Sequence, residues 1–206
     1  NKMAFFIDSS GRSYTLLANS LPSARGQGEP LTGRLTPPIG AEFIDVVMGD
    51  DEQLVILSSD AGYGFISTLG DLQSKTKSGK HAITLSKEAK TMRLTKVQNL
   101  ESDYLAVITN RARLLIFQVS ELPHLSKGKG NKLINIKTDD FVAKEEFLIG
   151  LCIIKENQKL RVEYGNGKKH KQYSFSDLVN FTSHRARKGL TVPGVHGKAL
   201  GIDAID

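Results

Sequence analysis

Lysine and glycine alternate in LSKGKGNKLINI, residues 125–136, and the chain then turns to apolar alternation. Lys127, Lys129 and Lys132 are side chains of the kind that meet phosphate as mobile point charges. The glycines between them have no Cβ to hold an anion away from the backbone N–H groups. Taken alone, such a run is most often a solvated face, but this one has company. Leu21 is followed by PSARGQGEPLTGRL, with Arg25 and Arg34; Leu72 by QSKTKSGKHAITL, with Lys75, Lys77 and Lys80; Leu178 by VNFTSHRARKGLTV, with Arg185, Arg187 and Lys188. Each joins lysine or arginine to glycine and then runs into an apolar stretch. Acidic residues gather elsewhere, at 49–52, 101–103, 139–140 and 145–146. That segregation says more than the net charge of +6 and the pI of about 9.3, which by themselves fit an inert basic surface as well as a polyanion partner.

What must position these loops is a repeat. Four segments read as strand, tight turn, strand and then a leucine: AFFIDSSGRSYTLLANSL, LVILSSDAGYGFISTLGDL, YLAVITNRARLLIFQVSEL and LRVEYGNGKKHKQYSFSDL. Their leucines, 21, 72, 122 and 178, are spaced 51, 50 and 56 residues apart, and the turn residues Gly11, Gly62, Ala112 and Gly167 keep step at 51, 50 and 55. Asn166-Gly167 suits a type I′ turn, and Gly11 and Gly62 supply the same access to positive φ. Alanine at 112 implies a different turn or a strained one. Apolar segments FIDVVM, RLTKVQ and FLIGLCII precede the later hairpins, and ALGIDAI at the end repeats that element without a hairpin. The sum is about four strands per unit of roughly 50 residues, the arithmetic of a propeller blade. The expected fold is all-β, one domain over residues 1–206, with repeats at about 1–36, 37–86, 87–137 and 138–206.

Other chemistries find little purchase. Gly62-Tyr63-Gly64 lacks the third glycine and the strand-to-helix setting of a dinucleotide site. VPGVHGKA, 192–199, has neither the first glycine nor the hydroxyl of a P-loop. The five histidines have no paired metal-ligand spacing, and no serine sits in a nucleophile elbow. The single cysteine, Cys152, lies in an apolar run, which fits core packing and a reducing cytosol. No apolar run approaches the ~20 residues of a membrane span. Residues that flank two turns, Arg111 and Arg113 at the third and Lys168, Lys169 and Lys171 at the fourth, either extend a cationic track or simply face water.

GRSYTL, LPSARGQGEPLTGRL, SSDAGYGF and SELPHLSKGKGNKLINI closely resemble the C-terminal domain of the A subunit of bacterial topoisomerase IV, and more broadly that of DNA gyrase A. The resemblance covers essentially the whole chain. It implies a β-pinwheel, a propeller-like disc whose neighbouring blades exchange strands, and duplex DNA held non-sequence-specifically along a basic edge. It implies a role in tuning the topology preference of an ATP-dependent type II topoisomerase, with the catalytic tyrosine, Mg and ATP in other domains and no cofactor here. Implied partners are a bacterial condensin, the rest of the A subunit, and the B subunit. The gyrase box of the form Gln-Arg-Arg-Gly-Gly-x-Gly is absent, which favours the topoisomerase IV branch and bending or guiding of DNA over tight wrapping. Relatives have about five or more blades, so a chain with four hairpins and no initiating methionine implies a further repeat upstream, and the blades either close into a ring or stop at an open C. Two other classes stay in play: an interaction propeller docking an acidic or condensin-type protein, and a structural spacer.

Overall fold

The computed structural model describes residues 2–23 and 25–206; Asn1, at the start of the first expected repeat, and Ala24, in the first basic loop, lie outside them. Its strands are β1 (Met3–Asp8), β2 (Arg12–Leu17), β3 (Phe43–Gly49), β4 (Leu54–Ser58), β5 (Tyr63–Thr68), β6 (Lys80–His81), β7 (Thr95–Lys96), β8 (Tyr104–Thr109), β9 (Arg113–Gln118), β10 (Asn131–Lys132), β11 (Leu148–Ile154), β12 (Lys159–Tyr164), β13 (Lys169–Ser174), β14 (Leu190–Thr191) and β15 (Ala199–Ile205). A short helix, α1 (Thr138–Val142), interrupts the last repeat.

The four expected hairpins are β1–β2, β4–β5, β8–β9 and β12–β13. The first three are buried over most of their length because a neighbouring layer covers each face. Residues alternate between the two coverings. Val55 and Leu57 meet Phe5 and Ile7 of the first hairpin, while Ile56 meets Leu105 and Val107 of the third. Ala106 and Ile108 then meet Leu160 and Val162 of the fourth. The period of two along a strand thus stacks the sheets face to face. The turn residues Gly11, Gly62 and Gly167 lie at φ 92°, 89° and 87°, and Ala112 is held in the same left-handed region at φ 62°. The third turn therefore keeps the shape of the others and carries the strain of a Cβ there, of order 1–2 kcal/mol.

Sheets and sequence repeats are out of phase. The strand orders are β3-β1-β2-β6, β10-β5-β4-β7, β11-β8-β9-β14 and β13-β12-β15, every pair antiparallel. Each of the first three hairpins is flanked by two strands of the next repeat, one before that repeat's hairpin and one after it. The fourth hairpin takes β15, the ALGIDAI segment, on one side, and no later hairpin in this sequence supplies the other. Among the described residues three blades have four strands and the fourth has three.

The strands that precede each hairpin face the middle of the molecule. β11 packs against β15 and β7, and with Ile44 of β3 they line a cavity of about 610 Å³. Cys152 faces that cavity, partly buried among apolar neighbours, and burial pushes its thiol up to about 12. The strands that follow each hairpin, β6, β10 and β14, take the opposite sheet edge, and it is these that the basic loops feed.

Candidate nucleic-acid interface

Each donated strand begins at a glycine pressed onto the hairpin it covers. Gly79, Gly130 and Gly189 have φ of 70°, 80° and 73°. A Cβ on Gly79 would fall 2.5 Å from Ser13 O, one on Gly189 would fall 2.6 Å from Leu114 O, and one on Gly130 would fall closer still to Gly64 O. Three residues on, Ala82, Leu133 and Val192 donate their N–H groups to the carbonyls of the turn residues Gly11, Gly62 and Ala112, at 2.9, 2.7 and 3.0 Å. These glycines therefore serve strand exchange. Gly128 is different: a Cβ there would meet only the Leu125 side chain, at 3.5 Å.

The loops are also joined to one another. Thr36 N–H, at the end of the first loop, donates to Lys77 O of the second at 2.8 Å; Thr84 N–H, just past the second, donates to Gly128 O of the third at 2.9 Å; Asn135 N–H, just past the third, donates to Arg187 O of the fourth at 2.9 Å. Lys77, Gly128 and Arg187 each stand two residues before the glycine that starts the donated strand. Equivalent bonds at equivalent positions make one belt along the outer sheet edges.

On that belt Lys75, Lys77, Lys127, Lys129, Arg187 and Lys188 are exposed, and Lys80, Lys132 and Arg185 are half-buried. Among the described residues none of these nine forms an ion pair. Lys129 Nζ lies 4.2 Å from the centroid of the Tyr63 ring, Lys132 Nζ donates to Asn135 Oδ1 at 3.2 Å, and Arg185 Nη1 donates to Lys132 O at 2.8 Å. All three partners are neutral groups.

The remaining candidates sit elsewhere. Arg25 is exposed on the first loop, which forms no strand among the described residues. Arg34 turns back to donate to Ser20 O at 2.8 Å and pairs with Glu29 at 3.5 Å. Arg111 lies among Asp140, Glu145 and Glu146, at 3.7, 3.4 and 4.0 Å. Arg113 grips the buried Glu146 with Nε and Nη2 at 2.8 and 2.7 Å, and it donates to Asn135 O at 3.0 Å and to Lys188 O. Burial acts to raise the Glu146 carboxyl, but hydrogen bonds from Arg113 and Thr109 and the charges of both arginines outweigh it and hold it below its ordinary range. Arg111 and Arg113 are thus neutralised, and Arg113 is a clamp that fixes the fourth loop. Sequence reasoning misses the same clamp one position after the first turn: Arg12 donates to Ser78 O at 3.0 Å and Gly79 O at 2.9 Å. Tyr63, in the same place after the second turn, carries Lys129. The alignment of Arg12, Tyr63 and Arg113 behind their turn residues is the signal that points to them.

A family model described as the DNA gyrase C-terminal domain, beta-propeller, matches residues 53–97 and 103–144. The DNA topoisomerase 4 A subunit of Pseudomonas aeruginosa is 46% identical over 193 residues, which cover 94% of this chain and 25% of that relative. The Escherichia coli K12 protein of the same name is 42% identical over 195 residues, 95% of this chain and 26% of that one. The chain therefore spans about a quarter of the length of the curated relatives it matches. The solved structure of the E. coli ParC C-terminal domain superposes with a TM-score of 0.88 at 40% identity, covering 99% of this chain and 81% of that one. A crystal structure of the C-terminal domain of DNA topoisomerase IV shares the fold at 14% identity, with a TM-score of 0.83 over 100% of this chain and 64% of the other.

Proposed function

The chain belongs to the family of C-terminal domains of bacterial topoisomerase IV A subunits, within the wider gyrase A group, and from that premise we propose that its belt of basic loops binds the backbone of duplex DNA. The observation that carries this reading is the register of the loops. Nine cations free of ion pairs among the described residues, drawn from three repeats, lie on loops hydrogen-bonded in series along one set of sheet edges. A duplex presents one charge per ~1.7 Å of axis, so a row of mobile lysines neutralises several phosphates at once and releases their counterions. The contacts are to backbone, because side chains carried on loops have no groove-filling helix or ribbon to aim them at base edges. Preference among DNA molecules then comes from bend and crossing geometry, since a curved rim favours DNA that follows it.

In the intact enzyme this domain guides the DNA segment that the rest of the A subunit, together with the B subunit, cleaves and passes at the expense of ATP; Mg, ATP and the catalytic tyrosine belong to those parts. The test is a titration of the chain against short duplexes across salt concentrations. Neutralising about six phosphates gives a log–log slope of roughly −5. A flat response would sink the DNA reading and favour an acidic protein partner, a condensin among them.

A further inference from the structure

Three hairpins receive a basic loop on their outer edge, and the fourth receives none among the described residues. β2, β5 and β9 are covered by β6, β10 and β14, whereas β13 pairs only with β12 among the described residues. The side chains at this edge change with the cover. Counting the four positions after the turn residue, the covered hairpins read Arg-Ser-Tyr-Thr (12–15), Tyr-Gly-Phe-Ile (63–66) and Arg-Leu-Leu-Ile (113–116). The fourth reads Lys168, Lys169, His170 and Lys171, all exposed. Where the other hairpins bury aromatic and aliphatic groups under a borrowed strand, this one places cations of its own.

A second segment adds to them. After β14 the chain folds against the fourth turn, with Gly165 N–H donating to Lys198 O at 2.9 Å and Tyr173 OH donating to Pro193 O at 2.6 Å. Lys171 crosses this segment so closely that a Cβ on Gly194 would run into its Nζ. Exposed Lys198 and His196 thereby join the three lysines. Glu163 is the opposing charge at the turn, with Oε1 3.6 Å from where a Gly167 Cβ would be. No carboxylate pairs with Lys168, Lys169, Lys171 or Lys198 among the described residues.

We propose that Lys168, Lys169 and Lys171, with Lys198, form a further phosphate-binding site that carries the belt one blade beyond the fourth loop, through cations of the hairpin itself. The occupant is the backbone of the same duplex held by the other loops, and the inference rests on that reading. The competing account is that lysines on an open edge strand only prevent pairing with a second copy.

The experiment replaces Lys168, Lys169 and Lys171 together by glutamine in this chain and measures affinity for short and long duplexes across salt. Loss of three phosphate contacts makes the log–log slope shallower by about 0.9 × 3, or roughly 2–3, weakens binding to long duplexes about tenfold near physiological salt, and leaves the shortest duplexes unaffected. Lys198→Gln, away from the strand, removes a further slope of about 1 and serves where the triple variant folds poorly. An unchanged slope in both variants, while Lys127→Ala with Lys129→Ala still lowers it, overturns this site and leaves the rim reading standing. Self-association of the triple variant with an unchanged slope overturns it in favour of edge protection. Absence of salt-dependent binding by the parent chain overturns both.

Discussion

Residues 22–36 and residues 123–135 have the same ingredients: a proline, cations, glycines and then an aliphatic residue that ends buried, Leu35 in one and Ile134 in the other. They form different structures. The third loop starts a strand on β5, and its Gly130 is pressed against Gly64. The first loop makes one 3-10 turn, 31–33, and packs Leu31 and Leu35 onto Phe6 and Tyr14 of its own hairpin. Gly28 has nothing within 4 Å of a built Cβ, and Arg34 folds back on Ser20 and Glu29. The difference lies in the acceptor: the third loop covers the β4–β5 hairpin, whereas the first loop pairs with no hairpin edge among the described residues. Basic composition alone does not make a rim; a hairpin edge that takes the strand does.

The largest expected effect separates the two glycines. Gly130→Ala drives a Cβ into a backbone carbonyl from a left-handed φ, and neither group yields without moving the strand. It costs about 3–5 kcal/mol in denaturant unfolding, among the severe single substitutions. Gly28→Ala changes stability by about 0.5 kcal/mol or less. Equal small effects at both would erase the distinction between a docked loop and an undocked one.

Next come the two arginines engaged with carboxylates. Glu146 is 3% exposed, and Arg113→Ala leaves it buried without its closest cation at a cost of about 3 kcal/mol. Arg34→Ala breaks an exposed pair and costs less than about 1 kcal/mol. The Glu146 carboxyl is held below its ordinary value of 4.5 in the folded chain, so its contribution is complete above that value and is lost as pH falls through the lower folded one. Acid unfolding of Arg113→Ala therefore shows a weaker dependence on pH below 4.5 than the parent. A parallel dependence would mean that Glu146 does not need Arg113.

Much of this was legible in the sequence, and for identifiable reasons. Hairpins announce themselves through apolar alternation and turn glycines, and the spacing of Leu21, Leu72, Leu122 and Leu178 set the repeat. The exchange of strands was not legible from periodicity, because a two-residue strand such as β6 carries no pattern and its partner is more than sixty residues away. The same distance hid the roles of the cations. Arg113 and Lys129 look alike as sequence; one faces Glu146 across 33 residues and the other a tyrosine ring. Net charge segregates along the chain, but pairing is decided by which hairpin a loop lies on.

The smallest effect tests whether the belt, and not the charge, binds. Lys127→Ala with Lys129→Ala removes two cations from a docked loop, and it weakens binding to all duplex sequences about tenfold while making the log–log slope shallower by about 2. Arg25→Ala removes one cation from the undocked loop and, if composition were all that mattered, would cost half as much. Its loop forms no strand on the outer edge among the described residues, and Arg25→Ala therefore costs less than about twofold, with a slope change well under 1. Equal losses per charge from the two loops would show that duplex binding depends only on total charge. A per-charge loss several times larger from the third loop would show that docking onto the preceding hairpin is what turns a solvated lysine run into a binding surface.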